Sequence, residues 1–81
     1  MELRRPALLV DSDGRECDIL ILDISGDGFR FEASDPPRIG EEVTLRVERS
    51  QEFAAQILWV LGNEGGGRFL TPASLSEWTD S

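Results

Sequence analysis

From Asp23 to Gly28 the chain reads Asp-Ile-Ser-Gly-Asp-Gly, which sets a carboxylate, a hydroxyl and a second carboxylate at alternate positions ahead of a glycine. Two chemistries fit this segment. In one, the Asp23 and Ser25 side chains accept hydrogen bonds from the backbone N–H groups of their own tight corner, and Gly28 supplies a positive φ. In the other, the same carboxylate and hydroxyl lie on extended chain, point away from the interior, and hydrogen-bond to the edge of a planar base. The residue types leave both open.

Asp23, Ser25 and Asp27 also occupy the first, third and fifth places of a calcium loop, with Gly28 at the sixth. The twelfth place is Ser34 rather than Glu, and the residues after the glycine alternate as a strand instead of opening a helix. Asp11-Ser12-Asp13-Gly14 fails in the same way, with Leu22 at its twelfth place. Gly65-Gly66-Gly67 lacks the Lys-Ser/Thr of a phosphate-binding loop and reads as a flexible turn. Ser25 has neither the preceding glycine of a nucleophile elbow nor a His to activate it.

The wider inventory narrows the chemistry further. Sixteen acidic residues against eight arginines, with no Lys, His or Tyr, give a net charge of −8. Sequence-independent attraction to DNA, RNA or anionic membranes is therefore disfavoured. Most side chains that serve as general bases, Schiff-base amines or imidazole metal ligands are missing, so neither an enzyme nor a metal or other cofactor is expected. The lone Cys17 sits in an apolar stretch and reads as packing, which suits a reduced cytosol. After Met-Glu-Leu-Arg-Arg only five apolar or small residues run uninterrupted to Asp11, too few for a signal peptide or a membrane span, so a cytoplasmic location is expected.

A chain of 81 residues is expected to form one small domain over 1–81 and to commit nearly all of its apolar side chains to the core. Apolar residues recur with period two between turn signals, which predicts an all-β fold. Pro6–Val10 reads as a first strand, Asp11–Gly14 as a hairpin turn with Gly14 at positive φ, and Glu16–Ile24 as a second strand. Its run Ile19-Leu20-Ile21-Leu22 is apolar on both faces, predicting cover on both sides. Phe29–Glu32 alternates as a third strand, and Asp35–Gly40 is a loop.

Val43, Leu45 and Val47 mark a fourth strand, Phe53–Leu61 a fifth after a turn at Glu48–Gln51, and Arg68-Phe69-Leu70 a sixth beyond a loose turn at Gly62–Gly67. Trp59 falls in phase with Phe53, Ala55, Ile57 and Leu61, which predicts a core position. Ser74–Trp78 carries a capping-box pattern for a short C-terminal helical turn, with Leu75 and Trp78 placed to plug an open barrel end. Six short antiparallel strands are best protected by closing into a barrel.

Several of these pieces stand in a specific order. Asp23-x-Ser25-x-x-Gly28 at a corner, Phe29-Arg30-Phe31, Ile39-Gly40 before a strand, Ile57-x-Trp59-Val60 and Gly67-Arg68-Phe69 together resemble the bacterial PilZ domain, from about Arg4 to Leu70. The resemblance implies a six-stranded antiparallel β-barrel that binds the second messenger cyclic di-GMP and relays its level to a partner protein in motility, biofilm or polysaccharide machinery. It implies a receptor rather than an enzyme.

In that family an R-x-x-x-R motif just before the first strand contacts the ligand's phosphates and stacks on guanine, while the D-x-S-x-x-G corner reads guanine edges. By that resemblance Asp23, Ser25 and Gly28 carry the second motif, and Arg4 and Arg5 supply phosphate and stacking contacts. Binding would order the arginine arm against the barrel. The arginine motif is incomplete: four residues beyond Arg4 and Arg5 lie Leu8 and Leu9, and four before Arg5 is Met1. The resemblance therefore carries an alternative, a degenerate domain that serves as a protein interaction module without nucleotide. The sequence identifies neither the partner nor the oligomeric state.

Overall fold

The computed structural model describes residues 2–48 and 51–70. The strands are β1 (Glu2–Val10), β2 (Glu16–Ile24), β3 (Gly28–Glu32), β4 (Glu42–Glu48), β5 (Gln51–Leu61) and β6 (Glu64–Phe69). They close into an antiparallel barrel in the order β1-β2-β3-β6-β5-β4. Closure is made by β1 on β4, paired only over Leu8–Val10. Pro6 therefore lies where β1 has a strand on one side alone, a position its missing N–H tolerates. No helix occurs among the described residues, and the helical turn expected at Ser74–Trp78 lies outside them.

The interior is filled from every strand. Leu9, Ile19, Ile21, Ile24, Phe29, Phe31, Leu45, Ala55, Ile57 and Phe69 form one buried cluster. Phe29 packs against Phe31 and Phe69 with ring centroids 5.8 and 5.4 Å apart, and Phe53 meets Phe69 at 5.7 Å. Across the β3–β6 ladder these rings face glycine: Phe29 opposes Gly67 and Phe31 opposes Gly65. A Cβ at Gly65 would meet the Phe31 ring at 2.6 Å, and one at Gly67 would meet Phe29 at 2.9 Å. The Gly65–Gly67 run is thus the middle of β6, not a flexible turn. The sixth strand begins at Glu64 because the ring opposite supplies the bulk that glycine lacks.

Two further sequence expectations give way to bulges. The β5–β6 register shifts between Ile57 and Trp59, so Val60 rather than Trp59 turns back toward the core. Trp59 is 38% and Leu61 78% exposed. With Ile39, Leu58 and Leu70 also exposed, the chain does not commit nearly all of its apolar side chains to the core. The indole of Trp59 lies over Gly66, where a Cβ would fall on it. At the other end of the chain, Arg4 and Arg5 lie inside β1, Arg5 opposite Ile21 of β2 and Arg4 in the register shift beside it, rather than on an arm that precedes the first strand.

Other expectations hold. The bounds of β2 are those read from the sequence. Leu22 is buried outside the core cluster, so β2 is covered on its outer side there, although Leu20 is only half-buried. Gly14 turns the first hairpin at φ +84°, while Asp11 Oδ1 accepts from the N–H groups of Asp13 and Arg15, both at 2.9 Å. Cys17 packs against the core, and its thiol reaches the Asp35 carbonyl at 3.4 Å. Burial first, then the charges of Asp35 and Asp18, push the thiol pKa above its ordinary value.

Three outcomes follow from this packing. Gly65→Ala should destabilise the barrel by roughly 1–3 kcal/mol in urea unfolding, because the fully buried Phe31 ring has no room to withdraw. Gly66→Ala should cost stability in the natural chain and close to nothing beside Trp59→Ala, a coupling above about 0.5 kcal/mol in a double-mutant cycle. Cys17 should alkylate with iodoacetamide more slowly than a free cysteine at pH 8.5, the gap narrowing as pH rises through its raised pKa; equal rates would contradict the burial.

Candidate functional site

The segment that joins β2 to β3 is a tight corner built by its own backbone and one hydroxyl. The Ser25 N–H donates to the Gly28 carbonyl at 2.8 Å. Ser25 Oγ accepts from the N–H groups of Asp27 and Gly28, both at 3.3 Å, and approaches the Gly28 carbonyl at 3.4 Å. The corner is tied to the end of β6 by the Phe69 N–H, which donates to the Asp27 carbonyl at 2.8 Å. Gly28 does not take the positive φ expected of it. Its glycine is required for another reason, since a Cβ there would fall on the Gly67 carbonyl oxygen across the ladder.

Asp23 takes no part in the corner's backbone bonds among the described residues. The β2–β3 register shifts between Ile21 and Asp23, so Ile24 continues the buried row and Asp23 is turned outward. There its Oδ2 accepts from Arg30 Nε at 2.7 Å and pairs with Nη2 at 2.6 Å. The same guanidinium reaches Glu64 Oε1 through Nη1 at 3.3 Å. The hydrogen bond that Arg30 donates to Asp23, then the charge of Asp23, hold the Arg30 pKa above its ordinary value; burial opposes them, and Glu64 adds a smaller upward push. Arg30 is thus a fixed cation.

The ladder extends this arrangement sideways. Asp23 is opposite Arg30, Arg30 opposite Gly66, and Gly66 opposite Trp59, giving one row across β2, β3, β6 and β5 on the outer face of the barrel. On the other side of Asp23 runs β1, with Glu2 opposite Asp23 and Arg5 opposite Ile21. Arg4 is exposed and Arg5 half-buried. The fold therefore brings the start of β1, the end of β2 and the start of β3 side by side, with Arg4 and Arg5 on the first of these strand ends, Asp23 on the second, Ser25 in the corner and Gly28 on the third.

Sequence reasoning missed the place of Arg30 and of Trp59 in this neighbourhood. Arg30 follows Gly28 at a spacing that puts it on the outward phase of β3, which was legible in the sequence. Its partner was not, because the pairing depends on the β2 bulge. Trp59 was displaced by the β5 bulge, which leaves no mark on residue type.

None of the curated proteins compared with this chain is a match. The family model of the PilZ domain matches residues 1–77. With a closed six-stranded barrel and a D-x-S-x-x-G corner formed between β2 and β3, the chain belongs to the PilZ domain family, a family of cyclic di-GMP receptor domains that are typically not enzymes.

Proposed function

We propose that this chain binds cyclic di-GMP at the joined ends of β1, β2 and β3 and relays the second messenger's level to a partner protein in the cytoplasm. The observation that supports the reading most is the pairing of β1 on β2, which runs the arginine-bearing end of β1 along the end of β2, with Glu2 opposite Asp23, Arg5 opposite Ile21 and Arg4 in the register shift between them. In this reading the two guanidinium groups meet the ligand's phosphates and stack on a base, while Asp23 and Ser25 address guanine edges. Gly28 acts indirectly, by letting the corner sit close against β6. The arginines lie in a strand, so binding needs no ordering of an arm. The signal instead passes through a change in the surface offered to the partner.

The net charge of −8 opposes a dianionic ligand at long range, and only local cations offset it. Rising salt screens that long-range repulsion, whereas close arginine–phosphate contacts are screened much less.

A second reading has its own support. Ile39, Leu58, Trp59, Leu61 and Leu70 are exposed, and the arginine motif lacks the second residue at its usual spacing. Both fit a module that contacts a protein without nucleotide.

Calorimetric titration of the pure protein with cyclic di-GMP separates the two. Heat that saturates, and that disappears in the Arg4→Ala, Arg5→Ala double variant at an unchanged melting temperature, is the expected outcome. Silence at high micromolar ligand would end the receptor reading, and undiminished affinity in the double variant would show that the cations lie elsewhere.

A further inference from the structure

Building on the receptor reading, we infer that Arg30 is the positioning residue of the guanine-reading carboxylate: it grips Asp23 through Oδ2 and leaves Oδ1 for the ligand. Two donors of one guanidinium, Nε at 2.7 Å and Nη2 at 2.6 Å, converge on the same oxygen. The third contact, Nη1 to Glu64 Oε1 at 3.3 Å, ties the guanidinium to β6 as well. A planar group held from two strands has little freedom to rotate, and a carboxylate gripped by it inherits that fixity. Oδ1 accepts no hydrogen bond among the described residues, and Asp23 is 39% exposed, so a ligand can reach it.

The chemistry of the base gives this placement a consequence. Guanine offers adjacent N–H donors on one edge, whereas adenine offers an amino donor beside an acceptor nitrogen. A carboxylate oxygen fixed between the two positions gains both donors from guanine, whereas beside adenine it gains one and faces a lone pair. Arg30 also answers a charge problem, because an unaccompanied Asp23 would repel a dianionic dinucleotide. The Arg30 guanidinium, always protonated, offsets the Asp23 charge in part, since it is shared with Glu64 and the trio keeps one net negative charge. Among the described residues the ion pair of Asp23 is with Arg30, while Ser25 is engaged with its own backbone.

The test compares the natural chain with Arg30→Met and Arg30→Lys, titrating each with cyclic di-GMP and cyclic di-AMP and recording melting temperatures. Arg30→Met should weaken cyclic di-GMP binding by roughly tenfold or more and narrow the preference over cyclic di-AMP, with Arg30→Lys regaining part of the loss. Equal or tighter binding with the preference intact in Arg30→Met overturns the inference.

A second measurement needs no nucleotide. Three-bond couplings about χ1 of Asp23 should report one rotamer in the natural chain and averaging in Arg30→Met. Averaging in the natural chain overturns the positioning role even if Arg30→Met proves unstable. Failure of the natural chain to bind cyclic di-GMP sinks the receptor reading and the guanine-reading role with it, while the couplings still decide whether Arg30 positions Asp23.

Discussion

The narrowness of the barrel between β3 and β6 governs everything built on it. Two phenylalanine rings, Phe29 and Phe31, project from β3 into space that β6 leaves empty with Gly67 and Gly65. A small core gains most from aromatic burial, and a six-stranded barrel can hold those rings only if the facing strand carries no side chains there. The same approach brings the Gly67 carbonyl so close to β3 that Gly28 must also lack a Cβ. Core packing thus sets the height of the corner on which the family motif stands.

On this frame, single extra residues choose which side chains reach the surface. Without the shift in β2, Asp23 would continue the inward phase of Ile19 and Ile21, and a carboxylate would be buried among aliphatic groups at prohibitive cost. Without the shift in β5, Trp59 would follow Ile57 into the core. Each bulge exchanges one ladder position for a change of face. The result is an outer row in which Asp23, Arg30 and Trp59 come from three different strands, with Gly66 as the low point on which the indole rests.

These same shifts mark the boundary of what the amino-acid sequence reveals. Alternation located β3, β4 and most of β5 because burial on one face imposes a period of two, and a continuous apolar run located β2. The D-x-S-x-x-G corner was legible because its residue types suit little else. The β6 strand was not, since glycine signals turns in isolation and becomes strand only against a ring on the neighbouring element. Nor was the course of β1 before Pro6: Arg4 and Arg5 carry no apolar phase, and their place beside Asp23 comes from pairing with β2. Local composition speaks for side chains that meet water or core, and is silent where a partner strand supplies the missing bulk or bonds.

The two chemistries that residue types left open at the corner divide between its residues. Ser25 serves the backbone: its hydroxyl accepts two N–H groups at 3.3 Å, the long end of a useful hydrogen bond. Asp23 does not serve it. Its short contacts at 2.6–2.7 Å go to Arg30, a charged partner on the next strand. A carboxylate needed only to close a turn would be spent on the nearest N–H groups, as Asp11 is in the first hairpin, where one oxygen accepts two of them. Asp23 is instead turned outward by a bulge, ion-paired through one oxygen and left accessible, with arginines on the strand alongside. The contrast between these two aspartates, one closing a turn and one held beside a cation, is the physical ground for reading function at the second corner and not at the first.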